Sequence, residues 1–291
     1  MVLVSPMSQA VAATAKANNV VVFTGAGMSA DSGIGTFRGD SGAWSGIFGT
    51  LALFWGGTPI GWRWTPSLVW SRFVKDFYGP IVDAEPHAGL LALQELEGSF
   101  DNFSYITMNV DGLHQAAGAT NEQVAEVHGS VLKYRCMSCD KKLSNEYILS
   151  QSNSDDNNNN SQGNASEGEC TKTQQRLNPS KQPRCDDCGG RARPDVTLFT
   201  ESLPPDEWGK AMRMLRRLKR GDVMLVAGTS SVVYPAASIP EKAASAGVTI
   251  IEFNKDFPTP LSSIAKIRVE GRAAETFPEF VKLVLEKRNK K

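Results

Sequence analysis

Val20-Val21-Val22-Phe23 runs into Thr24-Gly25-Ala26-Gly27-Met28-Ser29, and no other stretch of the chain constrains the fold as much. Four consecutive β-formers entering a glycine turn describe a buried strand that delivers a phosphate-binding loop. Gly25 and Gly27 let the backbone approach a pyrophosphate, and their amides are expected to donate to its oxygens. Taken alone, Gly-x-Gly-x-x-Ala reads almost as well as a bland tight turn. Downstream, however, Gly33, Gly35, Gly39 and Gly42 fall where a dinucleotide-binding helix would run. A glycine inside a helix costs about 1 kcal/mol relative to alanine, which disfavours a long regular helix here. The expectation is a long, irregular loop over whatever the glycines bind, unlike the architecture of a hydride-transfer enzyme.

Along the chain, apolar strands alternate with helical patterns. Residues 5–18 read as a short amphipathic helix before the first strand. The segment from Trp44 to Tyr78 holds five of the six tryptophans together with several Gly and Pro, so it is not one regular element. It is either a satellite apolar cluster under a loop or an aromatic-walled pocket. After a helix over 86–97, Phe103 to Met108 reads as a second buried strand that ends in Asn109-Val110-Asp111-Gly112-Leu113-His114. Ligands of parallel α/β sheets sit at the carboxyl ends of strands, so Asn109 and Asp111 are candidate ligand contacts, or simply turn residues. His128 ends another short strand. Only His87, His114 and His128 exist, which narrows the choice of a general base with a near-neutral pKa.

Cys136-Met137-Ser138-Cys139 and Cys185-Asp186-Asp187-Cys188 supply the four thiolates of a structural zinc site, closed to catalysis because no coordination position is left open. The stretch between the two pairs is far longer than the usual 15–20 or so residues. A polar tract over about 151–182, with four asparagines at 157–160, explains the excess and is expected to be disordered. Cys170 within it reads as a free thiol. Only Lys133, Arg135, Lys141 and Lys142 lie near the pairs, too few for a nucleic-acid-binding ribbon.

Beyond this module, Pro194 to Glu201 reads as a strand returning to the large domain. Pro205 to Lys219 is an amphipathic helix. Asp222 to Ala227 is a buried strand opening into the small-residue loop Gly228-Thr229-Ser230-Ser231. Pro235 starts a helix, and Asn254 ends the strand from Val248. A last strand, Ala265 to Glu270, precedes a helix from Ala273. The pattern predicts an α/β fold with a doubly wound, Rossmann-like parallel sheet over 1–131 and 193–291, and an inserted zinc-ribbon module over 132–192. Lys+Arg and Asp+Glu both number 31, so no overall field argues for nucleic acid or membrane. The N-terminal residues lack a secretory signal, and paired C-x-x-C motifs suit a reducing compartment. The expected location is intracellular, in cytoplasm or nucleus, with the mitochondrion as a further option.

Gly25 to Gly39, Asn109 to His114, Val127-His128-Gly129-Ser130, the cysteine pairs and Gly228 to Ala237 occur in an order that resembles the sirtuins, the NAD-dependent protein lysine deacylases. Phe37-Arg38-Gly39 and the run from Gly228 look most similar to the branch that includes desuccinylases. The resemblance implies NAD as co-substrate, held by Gly25, Ala26 and Gly27, by Thr36, Phe37, Arg38 and Trp44, and by Met108, Asn109 and Asp111. It assigns the adenosine end to Gly228, Thr229, Ser230, Asn254 and Ala274. The acyl-lysine carbonyl oxygen would attack the ribose carbon as nicotinamide leaves. His128, as general base, would then deprotonate a ribose hydroxyl that captures the acyl group, with Asn109 and Asp111 as its catalytic companions. Acylated-lysine proteins or peptides are the implied partners, met at Phe73, Asp76, Val196 and Phe199.

Departures from the family pattern refine this. Desuccinylases carry a Tyr-x-x-Arg pair where Phe73 and Asp76 align here, so neutral acyl groups, acetyl above all, are expected to outrank acidic ones. Met108 stands where glutamine is usual, Gly35 for a loop proline, and Thr200 for the glycine after Phe199. The competing readings are a protein mono-ADP-ribosyltransferase and a non-catalytic NAD-sensing scaffold.

Overall fold

The computed structural model describes residues 4–35, 55–153 and 176–290. Thr36, Phe37, Arg38, Trp44 and Cys170 lie outside the described residues. Nine strands are described: β1 (Asn19–Thr24), β2 (Asn102–Thr107), β3 (Val124–Glu126), β4 (Gly129–Cys136), β5 (Lys142–Leu143), β6 (Ala192–Val196), β7 (Val223–Ala227), β8 (Thr249–Asn254) and β9 (Ile267–Glu270). They fall into two compact units, Met1–Arg38 with Glu85–His128 and Leu203–Lys291, and Gly39–Ala84 with Gly129–Ser202. Among the described residues no helix is long and apolar enough to cross a membrane.

The first unit holds the expected parallel sheet, in the order β3-β2-β1-β7-β8-β9. β1 and β7 are near-continuous apolar runs because helices cover both faces. On one face Val21, Phe23, Met224 and Val226 pack against Ala211, Met214 and Leu218 from the helix Pro205–Arg217 and the residue after it. On the other, Phe277 and Phe280 of the helix Ala273–Arg288 meet Phe253 of β8 at centroid distances of 4.5 and 5.0 Å. Each such buried ring contributes on the order of 1.5–3 kcal/mol. The chain winds outward from β1 to β3, then resumes on the other side of β1 with β7. That reversal opens a crevice at the carboxyl ends of β1 and β7. In register, Thr24 lies beside Thr107 on one side and Ala227 on the other. The loops after β1, β2, β3, β7 and β8 therefore leave from one edge.

No long helix follows the glycine turn. Ala26–Ser29 is one helical turn and Ala30–Ser32 a 3-10 turn, which Gly33 ends at φ 84. Pro235 does not open a helix: the regular turns begin at Ser238.

The second unit is built on a three-stranded antiparallel sheet, β5-β4-β6. The strand expected to return to the large domain is β6, which instead pairs with β4. Trp62, Val69, Trp70 and Tyr78 share a core with Tyr134, Cys136, Leu143 and Ile148. The described part of the tryptophan-rich segment therefore supplies the zinc module with apolar area that three short strands lack, and 55–84 groups with that module. Trp55 and Trp64 stay exposed. The flanks of the polar tract are ordered, contrary to the expectation for 151–182. Residues 151–153 end the helix Asn145–Asn153, Leu177 enters the core, and Trp70 Nε1 donates to Asn178 O at 3.0 Å.

Candidate active site

At the carboxyl edge of the parallel sheet each strand hands its ladder to the next loop. Gly25 N donates to Ala227 O (3.0 Å), Gly228 N to Phe253 O (3.1 Å), Met108 N to Thr24 O (3.0 Å) and Val127 N to Thr107 O (3.0 Å). The glycines do a different task from the one expected. Gly27 N donates to Gly228 O at 2.7 Å, so the amides of Gly25 and Gly27 are engaged within the protein. Of the three residues, Ala26 has the amide that takes no such bond among the described residues. Gly25 and Gly27 are needed because the two loops interlock. A Cβ on Gly27 would lie 2.8 Å from Gly228 Cα, and one on Gly25 would lie 2.7 Å from Thr229 Cβ. Gly228 itself sits at φ 58, open to glycine at little cost.

Asn109 and Asp111 meet through Ser29. Asn109 Nδ2 donates to Gly25 O (2.9 Å) and to Ser29 Oγ (2.8 Å), and Ser29 Oγ donates to Asp111 Oδ2 (2.6 Å). Both amide hydrogens of Asn109 are thus engaged, leaving Oδ1 as a fixed acceptor. Asp111 also caps the short helix Leu113–Ala116, taking Leu113 N on Oδ1 at 3.0 Å. Burial raises its carboxyl pKa, against the pull of the Ser29 and Leu113 bonds.

The three histidines separate by environment. His87 uses both ring nitrogens: Nε2 donates to Met28 O (2.7 Å) and Nδ1 accepts from Gly89 N (3.0 Å). His114 is fully enclosed, and burial lowers its pKa to about 4. His128 is half-buried, with Nδ1 3.0 Å from the Met108 carbonyl oxygen. A carbonyl only accepts, so the proton sits on Nδ1 and Nε2 keeps its lone pair. Burial lowers the His128 pKa, partly countered by that carbonyl. This is the protonation pattern of a general base at neutral pH. Met108 contributes here through its main chain, while its side chain packs against the core.

At the far side of the edge, Asn254 Nδ2 donates to Thr229 O (3.1 Å), and the buried Thr229 hydroxyl takes Ser231 N (2.9 Å). Ser230 is exposed. Ala274 N donates to Asp31 Oδ2 (3.0 Å), whose other oxygen takes Arg272 Nε (2.9 Å).

In the second unit the sulfurs of Cys136, Cys139, Cys185 and Cys188 lie within 4.8 Å of one another, with closest approaches of 3.4 to 3.8 Å. Zinc–sulfur bonds of about 2.3 Å imply tetrahedron edges of about 3.8 Å, so this donor set fits one zinc ion. The two knuckles repeat one design. The residue after each second cysteine is left-handed, Asp140 at φ 62 and Gly189 at φ 68.

The Sir2 family matches residues 25–235. An NAD-dependent protein deacylase 2 of Pyrobaculum aerophilum is 38% identical over 93% of this chain and 92% of its own length. An NAD-dependent protein deacylase of Pyrococcus furiosus is 36% identical over 92% and 93%. The chain belongs to the Sir2 family. Solved Sir2 structures agree. A mutant Sir2 homologue in complex with ADP-ribose superposes with a TM-score of 0.77 at 33% identity, covering 97% of this chain and 98% of that one. A Sir2 homologue–NAD complex gives 0.75 at 32% identity, covering 96% and 93%. A Sir2–p53 peptide–NAD+ complex gives 0.69 at 28% identity, covering 98% and 99%.

Within this Sir2 chain the residues expected to meet an acyl-lysine diverge. Phe73–Tyr78 forms a π-helical turn, in which positions three apart do not share a face as they do in an α-helix. The Phe73 ring lies 5.6 Å from Trp70 and 6.0 Å from Tyr78, against the core. Asp76 is exposed and pairs with Arg72 at 3.2 Å. Val196 ends β6, and Phe199 is exposed with its amide on Gly57 O at 2.7 Å. Ser29 was not singled out from the sequence. Its signal was its place, four residues beyond Gly25 on the first helical turn.

Proposed function

We propose that this chain is an NAD-dependent protein lysine deacylase, chiefly a deacetylase, that moves the acyl group from lysine to ADP-ribose and releases nicotinamide. The observation that carries this reading is His128. Its Nε2 keeps a lone pair on a ring that is only half-buried, whereas His87 uses both nitrogens and His114 is buried, and it stands at the same sheet edge as the Asn109–Ser29–Asp111 network. NAD supplies a ribose carbon that accepts the acyl oxygen as nicotinamide departs. Ala26 N–H and the interlocked loops receive the pyrophosphate, and Thr229, Ser230, Asn254 and Ala274 line the adenosine end. Asn109 Oδ1 accepts from a ribose hydroxyl, and Asp111 orients the nicotinamide amide. His128 Nε2 removes the proton from the ribose hydroxyl that captures the acyl group. Thr36, Phe37, Arg38 and Trp44 are assigned to NAD by the family resemblance, and Phe73, Asp76, Val196 and Phe199 to the acyl-peptide substrate. One zinc, held by the four thiolates, stabilises the second unit. The relatives named as protein deacylases and the Sir2 complex with a peptide support protein substrates. The four unpaired thiols support an intracellular setting.

Mass spectrometry of products from NAD and a panel of acyl-lysine peptides tests the reading. Free nicotinamide, deacylated peptide and acyl-ADP-ribose are expected, and all should vanish with His128→Ala. ADP-ribose left on protein would replace the proposal with a transferase. Nucleotide binding without turnover would replace it with a sensor.

A further inference from the structure

The loop 108–113 carries both Asn109 and Asp111, and its two ends are tied together from beneath by polar groups the chemistry above does not use. Thr107, the last residue of β2, takes the Asn109 backbone amide on Oγ1 at 3.0 Å. Thr24, the last residue of β1, donates its hydroxyl to Thr107 Oγ1 at 2.8 Å. On its other side Thr24 Oγ1 lies 3.0 Å from Nε2 of His114, on the helix that Asp111 caps. With the Thr24 proton given to Thr107, His114 must be the donor, so its ring hydrogen is on Nε2. Tyr105 covers the imidazole at a centroid distance of 4.7 Å.

Packing alone does not call for these atoms. Thr24 is completely buried, and Thr107 and His114 nearly so; Thr24 follows the buried apolar run Val20–Phe23 of β1, and Thr107 follows buried Tyr105 and Ile106 of β2. Valine has almost the shape of threonine, and buried polar groups cost free energy unless every one is bonded. A three-member polar chain in that place yields geometry: it sets the distance between the two ends of a loop. Asn109 then has three tethers, to Thr107, Gly25 and Ser29, and its Oδ1 has one direction left.

We propose that Thr24, Thr107 and His114 form a positioning strut that presents Asn109 and Asp111 to the nucleotide, with Thr24 as its keystone. The proposal rests on the deacylase reading for its kinetic form, but the strut itself is also visible to nucleotide binding. Thr24 touches neither substrate nor cofactor, so its loss acts only through the loop.

The test compares Thr24→Val, Thr24→Ser and Thr107→Val with wild type, in the full chain with zinc. Nicotinamide release is measured against NAD and acetyl-peptide, ADP-ribose binding is measured by calorimetry, and each variant is melted. A misplacement of about 1 Å costs up to about a hundredfold in rate. The expected result is a fall of about tenfold or more in kcat for Thr24→Val, with peptide KM within about twofold. Thr24→Ser is expected to recover most of the rate. Combined with Asn109→Ala, Thr24→Val should cost clearly less than the sum of the two single effects, because part of its effect passes through Asn109. Wild-type kcat in Thr24→Val, a serine variant as poor as the valine variant, or full additivity with Asn109→Ala would each overturn the strut. If Thr24→Val gives no cooperative melt, Thr24→Ser and Thr107→Val decide by the same criteria. If the wild type binds ADP-ribose yet turns nothing over, the deacylase reading has failed on its own. The strut then stands on weaker ADP-ribose binding by the valine variants, and unchanged affinity overturns it.

Discussion

Replacing Gly27 by alanine tests whether the glycine turn is shaped by the neighbouring loop. The added Cβ would lie 2.8 Å from both Gly228 Cα and Gly228 O, and 3.1 Å from Gly228 C. All three are backbone atoms, and ordinary contact begins about 0.6 Å further out, so no side chain can yield by changing rotamer. The loops must part, which also strains the 2.7 Å bond from Gly27 N to Gly228 O. Overpacking costs about 1–3 kcal/mol and a lost hydrogen bond about 0.5–1.5 kcal/mol, giving about 2–4 kcal/mol in total. At about 2–4 °C per kcal/mol for a chain of this size, Tm should fall by roughly 5–15 °C. ADP-ribose affinity should fall with it, because the Ala26 amide is carried on the displaced turn. Gly98→Ala is the internal control. Its backbone is helical at φ −59 and the nearest atom to an added Cβ is 3.8 Å away. That variant should be neutral or gain up to about 1 kcal/mol through the unfolded chain. Thermal melts and calorimetric titration with ADP-ribose on both variants settle the matter. The reasoning is refuted if Gly27→Ala melts within about 1 °C of Gly98→Ala and binds ADP-ribose as wild type does.

Three further outcomes are expected. His128 must be neutral to act as base, and burial lowers its pKa, so kcat should be flat above neutrality and fall only below the ordinary imidazole value of about 6.5; a rate that rises on acidification would contradict the assignment. Cys139→Ser, or prolonged chelation, should remove the single zinc and unravel the second unit, read as metal content by mass spectrometry and as new proteolytic cleavage within 129–202. Succinyl-lysine peptide should turn over more slowly than acetyl-lysine peptide by about fivefold, because Asp76 repels a carboxylate by about 1 kcal/mol at water-like screening while Arg72 offsets part of its charge; equal or faster desuccinylation would remove Asp76 from the acyl site.

What residues 20–29 dictate is local. A run of β-formers ending in Gly-Ala-Gly makes a buried strand and a tight turn whatever surrounds it, and glycines downstream prevent a long helix. The same holds for the cysteine pairs, whose spacing requires two knuckles, and for Asn109 and Asp111, placed at a strand end by the apolar run before them. These were legible because each depends on neighbours within a few residues. Tertiary structure decided which partner each group meets. Gly27 donates to a loop 201 residues away in sequence at Gly228, so its amide was not the free donor the motif suggested. Ser29 joins Asn109 and Asp111 only because β1 and β2 run side by side in register. Trp62 and Trp70 belong with the cysteine module because it lacks apolar area of its own, a deficit that no local pattern displays. The histidines show the division most plainly. Composition limited the base to three candidates, but a ring's free nitrogen depends on what surrounds it, and only folding places the Met108 carbonyl beside His128.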